Sequence, residues 1–182
     1  MPNKDLLLVI DMQNVYLPGE EWGCPGFPQA LKKITSLLDA GVPAVFTRFV
    51  SPGTPVGTWK AYNSEYAHIN ESAWLNDIAA DLKPYLNTHP LVDKSTYSSW
   101  TAEVARLAEG DDRILLSGVV AECCVLATLM SAMDAGKKVV YLTDCVAGQE
   151  AAYEEAVQKI AGIYVPIHTL VMDSGTYLSA QS

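Results

Sequence analysis

Leu6-Leu7-Leu8-Val9-Ile10, closed by Asp11, is a continuous apolar run without polar alternation. That pattern belongs to a strand covered on both faces, and so to a parallel sheet flanked by helices. The segments that follow keep the same rhythm. Leu31, Ile34, Leu37 and Leu38 form a helical stripe that stops at Gly41, where a left-handed cap is easy. Val42 to Arg48 reads as a second strand, Pro90 to Lys94 as a third, Arg113 to Ser117 as a fourth, Lys138 to Thr143 as a fifth and Tyr164 to Val171 as the last. Between them lie helical stripes at Trp100, Val104 and Leu107 (capped by Ser98 or Ser99), at Cys123 to Ala135, and at Tyr153, Ala156, Val157 and Ile160. Strand–helix alternation of this kind predicts an α/β, three-layer α/β/α Rossmann-like fold with a mainly parallel sheet of about six strands.

Residues 51–73 interrupt the alternation. Pro52, Gly53, Pro55 and Gly57 punctuate the stretch, and Trp59, Tyr62 and Tyr66 weight it with rings. It reads as an aromatic-rich loop, a wall, lid or interface. A short helix through Trp74, Leu75, Ile78 and Leu82 is expected before Pro84.

The chain has 182 residues, 12 Lys+Arg against 21 Asp+Glu, and a formal charge of −9. The length favours a single domain spanning 1–182. Hydrophobic residues at 49% against 18% charged exclude a disordered chain. The acidic balance argues against nucleic acid as a partner, because polyanion affinity rests on Lys and Arg. The first apolar run follows a polar Met1-Pro-Asn-Lys-Asp start and is too short for a signal peptide or for a membrane span of about 20 residues. A soluble, cytoplasmic protein without a membrane partner is expected. Cys24, Cys123, Cys124 and Cys145 show no C-x-x-C spacing, so no disulfide framework is expected.

Ligands of doubly wound sheets bind outside the carboxyl ends of the strands. Asp11, Lys94 and the Cys123-Cys124 pair all fall at such ends, bringing acid, amine and thiol to one edge from three separate segments. A thiol in the first turn of a helix feels the positive end of the macrodipole, which favours thiolate, and a neighbouring ammonium adds to that. First-turn amides can also receive an oxyanion. Asp11 is the topologically nearest base.

Three spaced motifs carry a resemblance. Asp11-Met-Gln13 resembles a D-x-Q motif after the first strand; Lys94-Ser-Thr-Tyr-Ser-Ser-Trp100 is similar to K-x-x-Y-S-A-F; Gly118-Val-Val-Ala-Glu-Cys-Cys124-Val125 is similar to G-x-x-T-x-x-C-V, with Ala121 in place of Thr. All three belong to the isochorismatase-like cysteine hydrolases, and the resemblance spans most of the chain. It implies a catalytic Asp11, Lys94 and Cys124, with the C-V pair selecting Cys124 over Cys123. It also implies a non-proline cis peptide between Val119 and Val120, which aims the Val120 and Cys124 amides at the oxyanion. Nicotinamidases of this superfamily carry D-x-H after the second strand, with further histidines downstream. Here Thr47-Arg48-Phe49-Val50-Ser51 stands in that place, and His68, His89 and His168 lack ligand spacing. No catalytic metal and no cofactor are expected.

Gln13, Tyr16, Trp59 and Tyr97 are candidate substrate contacts. Gln13 and Tyr16 read equally as ordinary loop residues, and Trp59, Tyr62 and Tyr66 equally as a subunit contact in a homo-oligomer. Cys123 reads as a filler beside the nucleophile, and Asp144 as a structural hydrogen-bonding residue. The activity expected is metal-independent cleavage of a C–N bond in a small amide, carbamoyl or ureide substrate. Two alternatives stand beside it: vinyl-ether hydrolysis with Asp11 as acid, and a non-catalytic or thiol-redox role suggested by the adjacent cysteines.

Overall fold

The computed structural model describes residues 4–181. Met1, Pro2 and Asn3, which open the polar start read against a signal peptide, lie outside the described residues, as does Ser182. Six strands form one sheet: β1 (Asp5–Ile10), β2 (Ala44–Phe49), β3 (Leu91–Lys94), β4 (Arg113–Val119), β5 (Lys138–Ala147) and β6 (Thr169–Met172). Their order is β3-β2-β1-β4-β5-β6, and every neighbouring pair is parallel. The order reverses between β1 and β4, so the carboxyl ends of these two central strands flank the crevice in which such sheets bind ligands.

Period-two alternation in β1 divides the core. Leu7 and Val9 pack with Phe27, Ala30, Ile34 and Leu37 of α1 (Phe27–Asp39) on one face. Leu6, Leu8 and Ile10 pack on the other with Val104 of α5 (Ala102–Leu107), Leu129 of α6 (Leu126–Asp134) and Val157 of α7 (Ala151–Ile163). All six β1 residues are buried, which explains the unbroken apolar run. Gly41 ends α1 with φ 82°; its N–H donates to the Leu38 carbonyl at 2.9 Å and that of Val42 to Leu37 at 3.2 Å. This is a Schellman closure, which a side chain at Gly41 would strain. Gly118 (φ 103°) lies against the Ile10 backbone so closely that a Cβ would overlap its carbonyl, and the contact lets β4 hug β1 at the crevice.

Several expected elements differ. Residues 51–73 are not one loop: α2 (Trp59–Glu65) and α3 (Ala67–Asn70) form within them, and α4 (Ala73–Asn76) follows. Asn76 ties this stretch together, its side-chain amide donating to the carbonyls of Ile69 at 2.7 Å and Ser72 at 2.8 Å. The helix expected through Leu82 is instead α4 followed by a 3-10 helix, Ala80–Asn87, that contains Pro84. Thr101, not Ser98 or Ser99, caps α5 by accepting from Val104 N at 3.2 Å. The last strand is shorter than expected. Helix α7 runs to Ile163, and a turn through cis Val165-Pro166 precedes β6, with His168 N donating to the Tyr164 carbonyl at 3.0 Å. Pro166 has no N–H to give a ladder. A terminal helix, α8 (Ser174–Ser179), was not foreseen; Asp173 caps it by accepting from Thr176 N at 2.8 Å. Asp144 receives both the N–H and the hydroxyl of Ser174 at 2.7 Å, the structural role expected of it. Among the described residues no helix is long and apolar enough to cross a membrane.

Candidate active site

Three strand ends meet in one buried knot. Asp11 follows β1 with φ 50°, a left-handed conformation that Asp tolerates better than bulkier residues, so the chain turns sharply at the strand end. Lys94 ends β3. Its Nζ lies 2.5 Å from Asp11 Oδ2, and both side chains are 0% exposed. The same ammonium donates to the carbonyls of Thr96 at 2.8 Å and Tyr97 at 3.2 Å, and to Cys124 Sγ at 3.5 Å. It also sits 5.4 Å from the centre of the Phe49 ring. Burial alone would lower the Lys94 pKa, but the Asp11 charge and then Cys124 outweigh it and hold the group above its ordinary value.

Cys124 lies past β4, in a wide π-type turn, Ala121–Val125, that leads into α6. The regular helix start expected at Cys123 is therefore displaced to Leu126. The Val120 carbonyl accepts from Cys123 N at 3.0 Å and from Val125 N at 3.1 Å. The Val119-Val120 peptide is cis. The expectation of a stabilised thiolate does not hold. Burial first, and then the Asp11 charge, push the thiol well above its ordinary pKa, against the lowering by Lys94. The Cys124 proton is therefore held more tightly than that of a free cysteine, beside the Asp11–Lys94 ion pair.

A second arrangement was missed by sequence reasoning. Thr47 Oγ1 donates to Asp11 Oδ1 at 2.9 Å and lies 2.9 Å from Ser99 Oγ. Ser99 N donates to Thr128 Oγ1 at 2.8 Å, and Thr128 donates in turn to the Cys124 carbonyl at 2.6 Å. All three side chains are fully buried. A hydrogen-bonded chain through Thr47, Ser99 and Thr128 therefore joins the carboxylate to the backbone of the thiol residue. The only sequence signals were Thr128 one helical turn beyond Cys124, and Ser99 inside the quoted lysine motif.

Above Cys124 opens a pocket of about 190 Å³. Tyr16, Trp22, Tyr62, Tyr66 and Tyr97 wall it with rings, while Val120, both cysteines and Gln149 complete it. Tyr16 and Tyr97 thus stand at the pocket as sequence suggested. Trp59 does not; it meets Tyr62 edge-on and Tyr97 at a tilt, and lines a neighbouring recess. Gln13 is not at the pocket either. Its amide is spent on the Phe49 backbone, receiving its N–H at 2.8 Å and donating to its carbonyl at 3.0 Å, and also donates to the Asn76 carbonyl at 2.9 Å. It braces the turn behind Asp11. Trp22 and Gln149 were unforeseen, because both stand in turns without periodic pattern.

His68 pairs with Glu21 at 2.7 Å, Arg48 with Asp93 at 2.8 Å. Among the described residues, no three His, Cys, Asp or Glu side chains are placed together to hold a metal ion.

A sequence profile of the isochorismatase domain matches residues 5–169. No curated protein matches the chain in sequence. In fold it is similar to an isochorismatase-like hydrolase from Alkaliphilus metalliredigens, with TM-score 0.80 and 22% identity over 99% of both chains. It is also similar to a cysteine hydrolase from Pseudomonas syringae pv. phaseolicola 1448A, with TM-score 0.81 and 17% identity over 97% of this chain and 91% of that one. A nicotinamidase from Bacillus subtilis aligns with TM-score 0.73 and 19% identity over 93% of this chain and 99% of the other.

Proposed function

The chain belongs to the isochorismatase family of hydrolases, and on that premise we propose that it is a cysteine amidohydrolase. It cleaves a C–N bond of a small amide, carbamoyl or ureide substrate through a thioester on Cys124. The observation that carries this reading is the buried Asp11–Lys94–Cys124 knot, with 2.5 Å between the charged pair and 3.5 Å from ammonium to sulfur, under an open pocket. Vinyl-ether cleavage by acid catalysis has no use for the thiol in that knot.

Asp11 takes the Cys124 proton as sulfur attacks the substrate carbonyl, so the charge passes from carboxylate to sulfur and on to the carbonyl oxygen. Lys94 reaches both ends of that transfer and compensates the charge before and after it. The Val120 and Cys124 amides receive the oxyanion. Its collapse breaks the C–N bond, and Asp11 returns its proton to the departing nitrogen. Water then gives a proton to Asp11 and attacks the thioester; sulfur leaves and is reprotonated from Asp11. Nucleophile, base and compensating cation are all supplied by the chain, so the reaction is written without a metal.

The test is ammonia release from a panel of small amides and ureides by the native protein and Cys124→Ala. Loss of all turnover in the variant supports the reading. Retained amide hydrolysis, or a variant that cleaves a vinyl ether as well as the native protein does, would overturn it.

A further inference from the structure

We propose, resting on the amidohydrolase reading, that the pocket selects uncharged amides with a flat, apolar acyl group and rejects carboxylate-bearing ones. Gln149 is placed as the residue that sets this preference. The argument is one of charge and shape. The rings run in contact around the wall: Tyr16 to Trp22 at 5.9 Å between centroids, Trp22 to Tyr66 at 5.2 Å, Tyr66 to Tyr62 at 4.8 Å. A pocket of about 190 Å³ exceeds the ~150 Å³ apolar cavity that accommodates benzene, leaving space for a carboxamide at the thiol. Burial of Tyr16, Tyr62 and Tyr97 raises their phenols above the ordinary value and keeps them neutral.

No side chain lining the pocket is basic. The nearest cation, Lys94, lies beneath the thiol, and its protons are already shared among Asp11, two carbonyls and Cys124. A substrate carboxylate would lose water here and gain no ion pair. Acidic side chains stand behind the rim that carries Gln149. Glu122 Oε1 accepts from Gln149 N at 3.1 Å, and Glu154 Oε1 from Gly148 N at 2.8 Å, so two carboxylates pin the turn that carries Gln149. The Gln149 carboxamide is the neutral group on that rim, able to donate and to accept.

The experiment measures kcat/KM for benzamide and 4-carbamoylbenzoate with the native protein and with Gln149→Lys, which adds a cation to the pocket rim. In parallel, quenching of tryptophan fluorescence, Trp22 being in the wall, reads binding of both compounds to Cys124→Ala and to its Gln149→Lys derivative. The expected result is at least a 100-fold preference for benzamide in turnover and at least tenfold in binding, each reduced tenfold or more by Gln149→Lys. Equal handling of the two compounds, or a ratio unmoved by Gln149→Lys, would overturn the inference while leaving amide hydrolysis intact. Selective binding without any ammonia release would instead count against the amidohydrolase reading and leave the pocket's selectivity standing.

Discussion

The floor beneath the pocket is made of two strand ends and the π-type turn that follows a third, and the wall is made of short helices and turns. On the floor, Asp11, Lys94 and Cys124 are fixed by directed bonds: an ion pair, two carbonyl acceptors, and the chain through Thr47, Ser99 and Thr128. On the wall, Trp22, Tyr62 and Tyr66 are held by ring contacts whose geometry is looser, tilted or edge-on. A parallel sheet gives each strand end a defined place, so a residue there is positioned by the whole core. A ring on a seven-residue helix such as α2 is positioned only by its neighbours. On the proposed mechanism, chemistry is built into the rigid part, and substrate choice into the part that can vary without disturbing it.

The first way to break this comparison acts on the floor. Asp11→Asn should lower kcat for amide hydrolysis by about 10³–10⁴-fold, the scale of a lost general base. It should also make Cys124 easier to alkylate near pH 7. The carboxylate is one of the causes that raise the thiol pKa, and its removal leaves the lowering by Lys94 in place. Iodoacetamide kinetics across pH, followed on folded protein, would show the titration moved downward. A slower alkylation in Asp11→Asn would mean that the carboxylate is not holding the thiol protonated.

A smaller effect is expected one bond further out. Thr47→Val removes the donor to Asp11 Oδ1, a hydrogen bond to a charged group worth about 1.5–3 kcal/mol. At 1.36 kcal/mol per tenfold, kcat should fall about 10–100-fold, with KM little changed because Thr47 lies away from the pocket lining. Thr47→Ser should restore most of the rate. A change confined to KM would show that floor and wall are not separable in this way.

The same division explains what the sequence disclosed. The apolar run at β1 and the stripes of α1 and α6 made the layers readable, since burial of whole strands and helix faces leaves periodic traces. Asp11, Lys94 and the Cys123-Cys124 pair were readable as addresses on that frame, each just past or at a strand end, and the family resemblance singled out Cys124. Their mutual distances were not, and neither was the state of the thiol: a rule about helix starts pointed to thiolate, whereas burial and Asp11 prevail in three dimensions. Gln13 and Trp59 show the opposite limit. Both are residue types that suit a substrate contact, yet one braces the Phe49 backbone and the other faces a neighbouring recess. Thr47 and Gln149 carry no periodicity, and only the converging strands and the turn after β5 reveal what they touch.

The central claim is that Cys124 forms a covalent acyl intermediate. It is tested most directly by rapid acid quenching during turnover of an amide, followed by peptide mass spectrometry. The account predicts a peptide containing Cys124 heavier by the acyl group, absent in Cys124→Ala and discharged by added hydroxylamine. Ammonia released at the native rate with no adduct on that peptide, and the same release from Cys124→Ala, would contradict it.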